Sequence, residues 1–139
     1  MGPRVLAALA AVAVVSGCAD LQPPEIVPGI DGKQFRIDGY GLDASLDRGD
    51  CSSGKRLIEV NLRNNSEDAY ILYQITDYNL TPTEPEEVAG EIPPNGSKTI
   101  IFTPTRADDS VSATVVQLRP DGVVVDATKK IQGLEPRAC

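Results

Sequence analysis

Apolar and polar side chains alternate with a period of two along much of this chain, and that alternation restricts the possible folds more than any other feature. The clearest case is residues 56–64, where Ile58, Val60 and Leu62 are separated by charged or amide side chains. Neighbouring side chains of a β-strand point to opposite faces of the sheet, so this pattern predicts a strand with one buried face. Convincing helical periodicity is absent from the sequence after residue 18, so we expect an all-β domain.

Turn-forming residues divide the sequence after residue 33 into six or seven short strands. Examples are Pro-Pro-Asn-Gly at residues 93–96 and Pro-Asp-Gly at residues 120–122. Short strands separated by such turns are typical of a small antiparallel β-sandwich or barrel. The predicted strands are 34–38, 56–64, 69–78, 88–92, 99–103, 110–119 and 123–128. The predicted core contains Ile58, Val60, Leu62, Ile71, Val115 and Val123.

The two longest segments between predicted strands, 39–55 and 79–87, are predicted to be loops. A sandwich of this size has no large internal cavity to offer, so recognition is expected on loops or on an exposed strand. The second loop is acidic and contains prolines, which lowers the entropic cost of ordering it on binding. We expect a basic or polar protein partner at one of these loops. The candidate contact residues are Tyr40, Asp47, Arg48, Asp50, Glu84, Glu86 and Glu87.

The turns at residues 64–66 and 93–97 resemble those of immunoglobulin-like domains on bacterial surfaces. The immunoglobulin pattern of two cysteines around a tryptophan is absent, because the chain contains no tryptophan. The resemblance therefore implies only an immunoglobulin-like architecture.

The N-terminus has the pattern of a secretory signal peptide. Arg4 is the only charged residue before Asp20, and a run of small and aliphatic residues follows it. This run is shorter than the roughly 18–20 apolar residues that span a bilayer. Residues 15–18, Val-Ser-Gly-Cys, resemble the lipobox of bacterial lipoproteins. The resemblance implies cleavage between Gly17 and Cys18 and attachment of a lipid to the Cys18 thiol.

This resemblance implies three segments and a location. Residues 1–17 would be the signal peptide, 18–32 a lipidated N-terminus with a Pro/Gly tether, and 33–139 the β-sandwich domain. The protein would be anchored on the extracytoplasmic face of the cell membrane. Ala19 after the cysteine matches the outer-membrane sorting pattern of the family if the host has two membranes.

The number of cysteines agrees with export. The chain has three, and lipidation of Cys18 would leave Cys51 and Cys139. In an oxidising compartment these two are expected to form a disulfide, which would stabilise the fold by roughly 4–5 kcal/mol in the chain-entropy model. Two free thiols and a metal site are the alternatives, although two cysteines in a chain without histidine make a poor zinc site.

The negative charge restricts the possible partners. The formal net charge is −7, and removing residues 1–17 makes it −8 because Arg4 is the only charged residue lost. An acidic surface repels nucleic acid and anionic headgroups. We therefore expect no nucleic-acid partner and expect the lipid to provide the membrane attachment.

Several short motifs suggest other chemistry, but the sequence around them favours simpler interpretations. Residues 39–44 match a relaxed dinucleotide fingerprint without the helix that it requires. Residues 43–54 supply carboxylates as a calcium loop does, but lack its glycine at position six and its glutamate at position twelve. Arg-Gly-Asp at residues 48–50 resembles an integrin-binding tripeptide, which is too short to be informative. We expect no metal and no cofactor.

We expect a non-enzymatic interaction or structural module of the cell envelope. Without histidine, most nucleophile–base arrangements are excluded. A Ser–Lys pair stays open, because Ser52, Ser53 and Lys55 are close in sequence. The alternatives are a phage-encoded or prophage-encoded lipoprotein that blocks superinfection, and an envelope hydrolase.

Overall fold

Two four-stranded antiparallel sheets form the body of the protein in the computed structural model, which describes residues 24–139. The strands are β1 (Ile26–Pro28), β2 (Gln34–Arg36), β3 (Leu42–Ser52), β4 (Lys55–Asn64), β5 (Ile71–Thr76), β6 (Thr81–Pro82), β7 (Ala89–Ile92), β8 (Ser97–Thr103), β9 (Val111–Leu118) and β10 (Val124–Leu134). The first sheet has the order β10-β9-β5-β7 and the second has the order β3-β4-β8-β6. The predicted all-β sandwich is therefore confirmed.

The alternating residues of the central strands form the core between the two sheets. In β4, Ile58, Val60 and Leu62 are all at most 1% exposed, and in β9 Val111 and Val115 are equally buried. Burying a side chain of this size stabilises the fold by about 1.5–3 kcal/mol. Ile71 of β5 is also fully buried, so five of the six predicted core residues are confirmed.

Val123 is the exception, because it is 55% exposed. It lies in the turn before β10, where its carbonyl accepts a hydrogen bond from the Arg119 amide at 2.9 Å. The strand starts one residue later, and its period of two turns Val125 inward, where it is 4% exposed. The prediction that Val123 belongs to the core was wrong because β10 begins at Val124, one residue after the predicted start of the strand.

The segment 39–55 is not a loop, contrary to our prediction. Residues 42–52 form β3, the edge strand of the second sheet, which pairs with β4 on both sides of a bulge between Arg48 and Cys51. Leu42, Ala44 and Leu46 alternate and pack in or against the core. This period of two was overlooked because glycine and aspartate dominate the segment. A turn at Ser53 and Gly54, both with positive φ, joins β3 to β4.

Residues 24–41 form an N-terminal segment that crosses one end of the first sheet. Ile26–Pro28, within the predicted tether, pair with Gln34–Arg36. Lys33 then meets Glu91 of β7, with Nζ 2.6 Å from Oε1. The Arg36 carbonyl accepts a hydrogen bond from the buried Gln117 side chain of β9 at 3.1 Å. From Lys33 to Arg36, the contacts of the segment therefore run from the β7 edge of the first sheet toward its β10 edge.

Gly39 completes this crossing at β10. It has a φ of +79°, and a Cβ atom at this position would lie 2.5 Å from the Ala127 Cβ. Glycine is therefore required both by the backbone conformation and by the close approach to β10. Tyr70, next to β5, exchanges backbone hydrogen bonds with Gln34 and Arg36. The N-terminal segment is therefore held across the end of the sandwich by contacts with all four strands or their flanking residues.

The buried side chain of Asn64 joins the two sheets at this same end. Its Nδ2 lies 2.8 Å from the Ala69 carbonyl oxygen, 3.0 Å from that of Ile92 and 3.1 Å from that of Pro93. Its Oδ1 accepts a hydrogen bond from the Ser66 amide at 2.8 Å. The chain crosses between the sheets after β4 and again after β7, so one carboxamide connects both crossings.

We predict that Asn64→Ala lowers the free energy of unfolding by about 3 kcal/mol, because buried carbonyls and an amide lose their partner. Urea titration followed by far-UV circular dichroism measures this change. The control is Glu67→Ala in the same turn, where the side chain is exposed and the expected change is within about 0.5 kcal/mol. Equal effects of the two substitutions would contradict the role given to Asn64.

Candidate functional site

The outer face of the second sheet carries a continuous row of polar side chains. Antiparallel pairing places Asp43 opposite Arg63, Ser45 opposite Asn61 and Asp47 opposite Glu59. The β8 residues that pair with these β4 positions are Ser97, Thr99 and Ile101. Side chains at every second position share one face of a sheet, so these nine residues form one surface, which we call the polar face.

Hydrogen bonds order the middle of the polar face. Asn61 Nδ2 donates to Asp47 Oδ2 at 2.8 Å, and the Ser45 hydroxyl donates to the same oxygen at 3.2 Å. The Thr99 hydroxyl donates to Asn61 Oδ1 at 2.6 Å. One hydrogen-bonded chain therefore runs from β3 across β4 to β8. Such a surface loses less side-chain entropy when a partner binds.

A second set of contacts orders the end of the polar face near Asn64. Asn65 Nδ2 donates to Asp43 Oδ2 at 2.5 Å. Arg63 donates from Nε to Asn65 Oδ1 at 3.1 Å, and its Nη1 lies 3.4 Å from the Ser97 hydroxyl. A shallow open groove lies over the part of this surface nearest Asn64, lined by residues 43–45 of β3, 61–63 of β4 and 97–99 of β8.

The polar face is acidic. Asp43, Asp47 and Glu59 lie on it with one cation, Arg63. Glu84 lies at its opposite margin, beside Ile101 and Thr99. A surface with this excess of carboxylates favours a basic or polar partner.

Because residues 42–52 form a strand, the predicted contact residues of the segment 39–55 lie on different surfaces. Asp47 lies on the polar face, whereas Arg48 turns toward the C-terminus and donates from Nε to the Glu135 carbonyl at 2.9 Å. An extra residue in β3 between Arg48 and Cys51 makes a bulge, next to which Asp50 is exposed. Tyr40 precedes the strand and is 66% exposed. These residues do not form the single loop site that we predicted.

The bulge leads directly to the disulfide. Cys51 is bonded to Cys139 with an S–S distance of 2.05 Å and a Cα–Cα distance of 5.9 Å. The predicted pairing is therefore present in the structure. The bond fixes the last residue of the chain to the edge strand β3, close to the contact between Arg48 and Glu135.

The acidic residues of the segment 79–87 lie at the other edge of the second sheet. Pro85–Val88 form a short 3-10 turn, in which Glu86 is exposed and Glu87 lies 3.6 Å from Lys98 Nζ. The buried Tyr73 supports this turn by donating its hydroxyl to the Glu87 carbonyl at 2.7 Å. Burial, with a contribution from Glu87, raises the pKa of Tyr73 to about 12, so this phenol stays protonated as a structural donor.

The other motifs have structural explanations. The glycines at 39 and 41 are followed by a strand, whereas a dinucleotide site needs a helix there. The Arg-Gly-Asp tripeptide lies in the edge strand β3. Within residues 24–139, no three His, Cys, Asp or Glu side chains are grouped as a metal site would require.

Asp47 is the only one of the predicted contact residues that lies on the polar face, and its hydrogen-bonded neighbours Asn61 and Thr99 were not selected from the sequence. Both are at outward positions of predicted strands, so the alternation indicated their exposure. Their connection to Asp47 required the register of β3 with β4, and β3 was not predicted.

The predicted lipidation site and signal peptide lie outside the described residues. Across residues 24–139, no helix is both long and apolar enough to cross a membrane. Comparison with known proteins finds no matching family model, no matching curated protein and no matching solved structure.

Proposed function

We propose that this chain is a bacterial lipoprotein whose β-sandwich is a non-enzymatic interaction module on the extracytoplasmic face of the cell envelope. The observation that carries the proposal is the disulfide between Cys51 and Cys139. Structural disulfides form and persist in exported proteins. The third cysteine, Cys18, is then the one placed in the lipobox-like sequence of residues 15–18.

The polar face is the surface proposed to bind the partner. Its side chains are ordered by hydrogen bonds among β3, β4 and β8, and its charge is negative. The proposed partner is an envelope protein with a basic or polar surface. Salt should weaken this interaction, because exposed charges are screened. No contact among the described residues favours a hydrolase or a phage-encoded inhibitor of superinfection.

We predict that fatty acid is incorporated at Cys18. Cells that express the full chain are labelled with a fatty-acid analogue, and Cys18→Ser should abolish both the label and membrane retention. Cys51→Ser combined with Cys139→Ser is the matched control, which should keep the label even if the fold is less stable. Equal labelling of the wild type and Cys18→Ser would contradict the lipid anchor.

We predict that the polar face contacts the partner. A photo-crosslinking residue in place of Thr99, on the β8 side of this face, should yield a defined crosslinked product in intact cells. Asp43→Asn with Asp47→Asn should reduce that product several-fold, because both carboxylates contribute to the acidic surface.

The matched control changes the same charge elsewhere. Asp108→Asn with Asp109→Asn alters the loop between β8 and β9 and should leave the product unchanged. A crosslinker at Thr105 in that loop should give no such product. Capture from both positions alike, or insensitivity to the β3 substitutions, would place the partner on another surface.

A further inference from the structure

Exposed apolar side chains are concentrated at the end of the sandwich that the N-terminal segment crosses. Five large apolar side chains are exposed among residues 24–139, and four of them belong to this end. Ile30 is 82% exposed and Tyr40 is 66% exposed, both on the N-terminal segment. Val123 and Val124 are 55% and 57% exposed in the turn and first residue of β10. The fifth, Ile101, is 37% exposed on the polar face.

The contacts of the N-terminal segment place these side chains at one end of the molecule. A Cβ atom on Gly39, next to Tyr40, would lie within 3.0 Å of Val125 and Ala127 of β10, so Tyr40 lies beside Val123 and Val124 at the start of that strand. Ile30 is in the connection between β1 and β2, three residues before Lys33, which meets Glu91. Single exposed apolar residues are normal on a protein surface, whereas four at one end, with Ile30 on its β7 side and the others on its β10 side, provide several points of contact for a flat surface.

Three cations near this end are already paired with carboxylates. Arg36 Nε lies 2.7 Å from Asp38 Oδ1, and Lys33 Nζ lies 2.6 Å from Glu91 Oε1. Arg119, beside the turn at Val123, lies 3.4 Å from Asp121. These pairs leave little net positive charge to attract an anionic surface. A contact made here would therefore depend on apolar burial and would not require anionic lipid.

The length of chain between Cys18 and the described domain indicates what this end of the sandwich contacts. Residues 18–23 precede Pro24, and they can span roughly 20 Å at most. β3 has 11 residues and is therefore roughly 36 Å long. Glu25 is held beside Asp38, whose Oδ2 accepts the Glu25 amide at 3.1 Å. A lipid on Cys18 would thus keep this end of the sandwich, and not the opposite one, near the bilayer.

We propose that this end of the domain lies on the bilayer surface, with Ile30, Tyr40, Val123 and Val124 in the headgroup layer. The inference rests on the lipid anchor at Cys18 proposed above. Tyrosine suits this position because its ring is apolar and its hydroxyl stays in water or headgroups. The acyl chains supply the attachment, and the four side chains fix the orientation of the domain. The polar face is then held at a constant angle to the membrane.

The test uses tryptophan as a reporter, because the chain contains none. Tyr40→Trp and, separately, Ala107→Trp are introduced into the full chain, which is purified with its lipid and reconstituted into neutral phosphatidylcholine vesicles. Ala107 is exposed in the loop after β8, at the opposite end of the sandwich. Part of the phosphatidylcholine carries bromine on its acyl chains and quenches fluorescence at the membrane. The mass of the N-terminal peptide first establishes whether Cys18 carries a lipid.

The expected result is a blue-shifted emission and loss of most fluorescence for Trp at position 40, with little quenching at position 107. Ile30→Ser, Val123→Ser and Val124→Ser together should reverse most of the quenching at position 40. The matched control Ile101→Ser removes an exposed apolar side chain from the polar face and should leave it unchanged. Anionic lipid in place of half the neutral lipid should not increase the quenching, because the cations at this end are few and mostly paired.

A lipidated chain whose Trp at position 40 is unquenched, or quenched no more than at position 107, would overturn this inference alone. That result would indicate that a protein, and not the bilayer, contacts the exposed apolar side chains at this end. Quenching that appears only with anionic lipid would also overturn it. A chain without lipid on Cys18 would overturn both the anchor and the orientation, since nothing would then hold this end at the bilayer.

Discussion

The carboxamide of Asn64 is the interaction on which the arrangement of the two sheets depends. It is fully buried and contacts carbonyls on two of the crossings between the sheets, the one after β4 and the one after β7. Nδ2 has two hydrogens and lies within reach of three carbonyl oxygens, so at least one hydrogen is shared. Leaving these groups without a partner inside the protein would cost more than the hydrogen bonds contribute when formed. The apolar core makes burial favourable, and Asn64 fixes how the connections meet at that end.

Hydrogen bonds at this end of the sandwich also fix the positions of the polar face and of the N-terminal segment. The Asn64 amide donates to the Gly96 carbonyl at 2.9 Å, which fixes the start of β8 and hence the rows of the polar face. The N-terminal segment crosses the same end, where Gln117 and Tyr70 hold its backbone. At the opposite end, the disulfide constrains β3 and the C-terminus, with an entropic contribution of roughly 4–5 kcal/mol. The two proposed contact surfaces, for membrane and partner, thus lie on one rigid frame.

Strands with an aliphatic side chain at every second position were predictable from the sequence. Strands in which small or acidic residues weaken that pattern were not. β4 and β9 have aliphatic side chains at every second position, so their buried faces followed directly from the sequence. β3 buries Leu42 but otherwise presents the smaller Ala44 and the half-buried Leu46 to the core, and its acidic outer positions suggested a loop. Val123 was assigned to the core because periodicity alone does not locate the first residue of a strand. The disulfide was predictable from cysteine number, whereas the polar face depended on the register of β3.

Site-resolved amide hydrogen exchange tests the role of Asn64 most directly. The Ser66 amide donates to Asn64 Oδ1, and the Ala69 amide donates to the Ser66 hydroxyl at 3.2 Å. If this corner joins the sheets, both amides should exchange as slowly as Val60 in the core, through global unfolding alone. Rapid exchange at Ser66 and Ala69 while Val60 stays protected would show that the corner opens independently, which would contradict the central claim.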